Sequence, residues 1–284
     1  MGAFLTLLTF NIGLSQNSIL WEVTGNGISS PSYILGTLKF IGEQEYFMPA
    51  EVPLHIKKCQ VFAIEDQVDP KAQHELNKTL HLTEGKTVSS LLSPEDYKKV
   101  TDLFQTEFNI SKADFEKSFA KLIPLALSIT MTRLSLKENI KFYDIELLKL
   151  AKKHKLDAYS LEGIDRESQA LQKFPMDEQV KALLHSVNNF ETQKKEYKAV
   201  EAAYIRGDLD KVFEKSLHPA ENNPTFVEEF YTRRNEEWLP KLERMLKEQP
   251  SFVAVGVSHL EGEKGLLALL RAKGFELNPV KIQR

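Results

Sequence analysis

Residues 252–260 read FVAVGVSHL, and residues 33–40 read YILGTLKF. Each is a run of β-branched, aromatic and aliphatic residues that reaches a glycine and then, two residues further on, a basic side chain. That side chain is His259 in the first stretch and Lys39 in the second. Short apolar runs of this kind read as buried strands, and the glycine leaves room for a close approach at the strand's end. The two runs lie near opposite ends of the chain, so a single sheet must collect strands from both. This predicts an α/β (α+β) fold: a central mixed β-sheet built from N- and C-terminal strands, with a large helical middle region.

The remaining strands follow from the same signals. ILWEV and SYILGTL flank TGNGISSP, and the Asn26-Gly27 pair predicts a hairpin turn between them. QVFAIED (60–66) is apolar enough for a strand buried on both faces, and AYSLE (158–162) and FELNPV (275–280) complete the set. Between them the spacing becomes helical. SPEDYKKVTDLFQTEF (93–108) opens with an N-cap serine, a first-turn proline and two acids. LIPLALSITMTRLSL (122–136) is a largely apolar helix with Pro124 near its start or at a kink. YDIELLKLAKKHK, the long stretch 175–208 and TFVEEFYTRRNEEWLPKLERMLKEQ read as amphipathic helices. The chain divides into residues 1–15 as a signal peptide and 16–284 as a single domain, with helical insertions at about 70–150 and 165–248.

Composition narrows the function. A net charge of -3 and a pI near 6.2 give no reason to expect nucleic acid as a partner, and the basic AKKHK at 151–155 reads as a solvated helix end. Cys59 is the one cysteine, so no internal disulfide and no CxxC metal or redox pair exists, and it reads as a small buried apolar residue. MGAFLTLLTFNIGLSQ fits the apolar core of a secretory signal peptide cleaved after Ser15, against a genuine first strand or helix; the expected positive flank is missing, since no Lys or Arg precedes Lys39. The run is shorter than the ~20 residues of a membrane span, and no later segment supplies one. An exported protein with no transmembrane segment after cleavage is the expectation.

The sequence has no GxxxxGK[ST], no HExxH and no nucleophile elbow, because Leu260 occupies the place of the elbow's second glycine. What remains are three strand ends with polar groups: Gly36-Thr37-Leu38-Lys39, Glu65-Asp66 and Gly256-Val257-Ser258-His259. Ligands gather at the carboxyl ends of strands in α/β sheets. If these strands adjoin, a base, a carboxylate and an imidazole converge, an inventory that suits metal-hydroxide or acid–base chemistry. Taken singly, each also has a structural reading: a hydrogen-bonded histidine, a polar strand exit, a solvated lysine. Arg234 lies one turn before Trp238 on an apolar stripe, which leans it toward the core, either to bind a substrate oxygen or to tie down Glu65 or Glu162.

LWEV with SYILGT, FAIED, AKKHKLDAYSLEGIDRESQAL with Glu162 and Gln169, RRNEEWLPKL and VAVGVSHLEGEKGLLALLRAKGFEL follow one another from Leu20 to Val280. In this order they resemble the TraB/GumN family, whose animal relatives include the Tiki membrane-tethered metalloproteases. The resemblance implies two Gly-x-x-His motifs whose histidines, with the strand-end Glu and the helix Arg, form the active site and hold a divalent metal (Mn, Co or Zn). The matching positions here are Gly36 and Lys39, Gly256 and His259, Glu65, and Arg234 with Asn235; Thr37, Ser258 and Glu162 stand as supporting residues. Lys39 takes the place of the first histidine. A lysine must lose a proton at roughly 4–5 kcal/mol at pH 7 before it can coordinate. Its ammonium could instead replace the metal's charge by pairing with Glu65, or act as base or nucleophile. The expected function is therefore a metallopeptidase-like hydrolase of the cell envelope with a degenerate metal site, or a non-catalytic binder of a peptide or small molecule in the same cleft. A purely structural role is the third alternative.

Overall fold

The computed structural model describes residues 18–65, 67–83, 85–216 and 223–283. The proposed signal peptide and Asp66 lie outside them. Among the described residues eight strands form two sheets: β1 (Leu20–Gly25), β2 (Ser32–Thr37), β3 (Ile41–Gly42), β4 (Val61–Ile64), β5 (Ile140–Lys141), β6 (Asp157–Ser160), β7 (Ser251–Gly256) and β8 (Phe275–Pro279). The main sheet has the order β6-β4-β7-β2-β1-β8. Strands β6, β4, β7 and β2 run parallel to one another, while β1 is antiparallel to both β2 and β8. This is the mixed sheet, drawn from both ends of the chain, that the opening stretches require.

Composition explains strand position. The VFAI of β4 is buried throughout and lies between β6 and β7, as a continuous apolar run does inside a parallel sheet. The edge strands β6 and β8 alternate in exposure instead. The β1–β2 hairpin turns through Gly25, Asn26 and Gly27, all at positive φ. Phe62 and Phe252, paired in register on β4 and β7, stack with ring centroids 6.4 Å apart.

Thirteen helices are described: α1 (Glu51–Ile56), α2 (Pro70–Thr79), α3 (Pro94–Phe108), α4 (Lys112–Ser118), α5 (Pro124–Ser135), α6 (Tyr143–Lys153), α7 (Ile164–Lys173), α8 (Met176–Asn188), α9 (Phe190–Ile205), α10 (Leu209–Ser216), α11 (Pro224–Val227), α12 (Arg233–Glu248) and α13 (Leu266–Ala272). Ser93 caps α3 by accepting from the Asp96 amide. Pro124 sits in the first turn of α5, so it starts that helix and does not kink it. The stretch 175–208 divides at Asn189 into α8 and α9. Residues 225–249 also fail to form one regular helix: a π-helical turn at Glu228–Thr232 links α11 to α12.

Three apolar clusters result. The largest joins the main sheet to α1, α6, α12 and α13 and to the ends of α9 and α10 that face it. Tyr143, Leu147 and Ala151 place α6 in this cluster, so that part of the expected 70–150 insertion packs directly on the sheet. Two smaller clusters, around Phe104 and Leu127 and around Phe174 and Phe226, hold the helical region together. Cys59 is buried, and burial pushes its thiol up to about 12. Among the described residues no helix is long and apolar enough to cross a membrane.

Candidate functional site

Because β2, β7, β4 and β6 are parallel neighbours, their carboxyl ends share one rim of the sheet, and the side chains that follow them meet there. The two glycines explain how they come so close. A β-carbon on Gly36 would lie 2.7 Å from Leu260 Cδ1 and 3.1 Å from Val257 Cγ2, so the first Gly-x-x segment packs against the second. A β-carbon on Gly256 would lie 3.1 Å from Glu65 Oε2, and the Gly256 amide donates to that oxygen at 2.8 Å. One glycine thus admits the neighbouring strand end, and the other admits the carboxylate.

Arg234, in the first turn of α12, sits at the centre. Its Nη2 donates to Glu65 Oε1 at 3.0 Å and forms an ion pair with Glu162 Oε1 at 2.7 Å, and its Nε donates to both Glu162 oxygens at 2.9 and 3.1 Å. Nη1 donates to the Phe230 carbonyl at 3.1 Å and faces His259 Nε2 at 3.5 Å. The guanidinium also lies 4.8 Å above the Trp238 ring, whose indole N–H donates to Glu162 Oε2 at 2.9 Å. Of the two roles open to Arg234 from sequence, the geometry is that of the structural tie, made to both glutamates at once.

His259 is equally fixed. Asn235 Nδ2 donates to the carbonyls of His259 and Lys264 at 3.1 and 2.9 Å, which orients its Oδ1 to accept from His259 Nδ1 at 2.7 Å. The ring proton therefore sits on Nδ1, and the Nε2 lone pair points to Arg234 Nη1 and lies 3.4 Å from Glu65 Oε1. Trp238 and Tyr231 flank the imidazole at centroid distances of 4.6 and 5.1 Å. Burial, with the Arg234 charge, lowers the His259 pKa despite the opposing pull of Glu65. Burial pushes Glu65 up, but His259, Arg234 and Lys39 together hold its carboxyl well below the ordinary carboxylate range.

Lys39 is exposed at the rim and is the weakest of these influences on Glu65. Arg234 donates a hydrogen bond to Glu65, and Lys39 acts on the same carboxylate through its charge. Thr37 is buried and donates to the Val255 carbonyl at 3.2 Å, Ser258 is half-buried at the same rim, and Gln169 is exposed on α7. Lys241 donates to the carbonyls of Ser160 and Leu161 at 2.5 and 3.2 Å, which fixes the end of β6 beside Glu162.

The backbone around Lys39 is gripped from one face of α9. Tyr204 donates its hydroxyl to the Gly36 carbonyl at 2.8 Å, Tyr197 donates to the Phe40 carbonyl at 2.6 Å, and Glu201 Oε1 accepts from the Gly42 amide at 3.0 Å. The spacing of 197, 201 and 204 puts all three on one helical stripe. Sequence reading did not reach this set, nor Trp238 as a donor or Tyr231 as a wall. For Trp238 a signal existed, since it follows Arg234 by four residues on the same face.

The family model for the TraB/PrgY/gumN family matches residues 19–279. The chain belongs to the TraB/PrgY/gumN family. No curated protein and no solved structure matches it. The site of this TraB/PrgY/gumN chain can be tested against the divalent metal expected from the resemblance. Both Glu162 oxygens and both Glu65 oxygens already accept hydrogen bonds, the Nε2 lone pair faces a guanidinium, and a lysine stands at the position of the first histidine. Among the described residues no group of three or more His, Cys, Asp or Glu is placed to hold a metal ion. The donor set present does not fit one.

Proposed function

We propose that this TraB/PrgY/gumN member is an exported binding protein that holds a peptide or small molecule at the rim formed by β2, β4, β7 and β6, without hydrolysing it. The observation that carries this reading is the saturation of the donor atoms. Glu65, Glu162 and His259 are bound to Arg234, Asn235, Trp238 and the Gly256 amide, which supports a role in holding a ligand over one in activating water. Groups at the accessible side, the partly exposed Glu65 carboxylate and the Lys39 ammonium, suit recognition by charge and hydrogen bonding.

The purified protein, incubated with a defined peptide mixture, tests this by two readouts: retention measured by calorimetry and cleavage measured by mass spectrometry, each with and without chelator and added manganese. Retention without cleavage is the expected result. Cleavage that chelator abolishes would overturn it in favour of the metal-dependent hydrolase, and absence of both retention and cleavage would favour a structural role.

A further inference from the structure

We propose that the amino ends of β4 and β6 carry a lysine surface that seats the protein on an anionic lipid bilayer, with the rim at the opposite end of the same strands turned away from it. This goes beyond the reading of the rim and is independent of what the rim binds.

Strand register builds the surface. Lys57 and Lys58 follow α1, and Lys152, Lys153 and Lys155 lie at the end of α6 and just beyond it; all five are exposed. Each group leads within a few residues into one of two neighbouring parallel strands, β4 and β6, whose first residues Val61 and Asp157 are partners in register. The Asp157 amide donates to the Gln60 carbonyl at 3.1 Å, which ties the two lead-in segments side by side. Lysines favour the carboxyl ends of helices, which accounts for each group locally. The sheet adds their juxtaposition.

Charge sets this surface apart. Other exposed lysines meet acids: Lys112 reaches Glu116 at 3.8 Å, Lys181 reaches Glu178 at 2.6 Å and Lys247 reaches Glu243 at 2.9 Å. Among the described residues none of the five is ion-paired. Segments 57–61 and 152–157 hold one acid, Asp157, and neither holds an arginine or an aromatic ring. The whole chain carries -3, so the remainder is more acidic still and the field is lopsided. Leu54, 50 % exposed on α1, precedes Lys57 and Lys58 by three and four residues, which sets an apolar side chain beside the ammonium groups. Flexible point charges with one apolar contact suit a diffuse layer of headgroup phosphates, whereas planar, bidentate recognition calls for arginine.

Cosedimentation of the intact protein with vesicles is the test, using phosphatidylcholine alone and phosphatidylcholine with about one-third phosphatidylglycerol. Neutral vesicles read whatever the apolar residues 1–15 contribute, so the measured quantity is the excess on anionic vesicles. An excess of roughly tenfold at ~0.05 M salt, mostly lost at ~0.5 M, is expected. Changing Lys57, Lys58, Lys152 and Lys153 together to Gln removes it. The same change of charge at Lys78, Lys98, Lys112 and Lys181, on α2, α3, α4 and α8, leaves most of it. A fluorophore attached at Leu54→Cys is quenched by brominated lipid, and one at Lys39→Cys is not; the native thiol, Cys59, is buried. Equal binding to both vesicle types, insensitivity to salt, or equal loss in the two quadruple variants would overturn the lysine surface. Retention on heparin without an excess on anionic vesicles would overturn the lipid as its partner, and quenching at position 39 in place of position 54 would overturn the orientation.

Discussion

Gly36→Ala tests whether the two Gly-x-x segments interlock. The added methyl would stand 2.7 Å from Leu260 Cδ1, 3.1 Å from Val257 Cγ2 and 3.2 Å from Val257 Cα. Leu260 is fully buried and has little room to turn aside, and the Val257 Cα belongs to a short 3-10 turn that carries His259. Forcing a methyl into a packed layer of this kind typically costs about 1–3 kcal/mol. For a chain of this size that corresponds to a fall in Tm of roughly 2–5 °C. Differential scanning calorimetry of wild type and variant reads it directly. A second measurement separates packing from any intrinsic effect of alanine in a strand. Leu260→Ala alone opens a cavity, at about 2–5 kcal/mol, whereas the double variant should cost less than the sum because the new methyl enters the vacated space. A Gly36→Ala protein within a degree of wild type, or strictly additive effects in the double variant, would refute the interlocking of the two segments.

Two further outcomes follow from hydrogen bonds and charge. Tyr204→Phe removes the donor to the Gly36 carbonyl and leaves a buried acceptor unpaired, at about 1–3 kcal/mol; amide hydrogen exchange should quicken in residues 37–43 more than elsewhere, and unchanged exchange there would count against the grip by α9. Glu65 has a folded-state pKa below its unfolded value, so it contributes stability that is fully present above the unfolded value near ~4.3 and is lost as pH falls through the folded pKa. Urea unfolding at stepped pH should therefore show an acid limb that flattens in Glu65→Gln, and an identical limb in the variant would contradict the charge assignment.

The main sheet was legible because its evidence is local: β4 and β7 announce themselves as continuous apolar runs, and Asn26-Gly27 marks the hairpin. The adjacency of β2, β7 and β4 had to be supposed from the shared character of their ends, yet it is what places Glu65 beside His259. What escaped the sequence is whatever depends on a partner far along the chain. Tyr197, Glu201 and Tyr204 look like ordinary helix residues until segment 36–42 is laid against them. The two-residue strands β3 and β5 are too short to show any period. The π-helical turn at 228–232 leaves the apolar pattern almost unchanged, so a single regular helix was the natural reading. Trp238 was seen as part of an apolar stripe, and its indole N–H found an acceptor only once Glu162 was brought in from the end of β6.

The hydrogen bonds of α9 to segment 36–42 go to main-chain atoms on either side of position 39, two carbonyl oxygens and one amide, and the Tyr197 ring also stacks on Phe40. Such a hold is indifferent to which side chain points away from it. Imidazole or ammonium can be carried at this point with the strand end, the turn and the neighbouring Gly256 segment all left where they are. The scaffold therefore behaves as a socket whose shape is specified apart from its contents. The main-chain grip on either side of position 39 would hold with either side chain, so a change there acts through the charge it presents to Glu65.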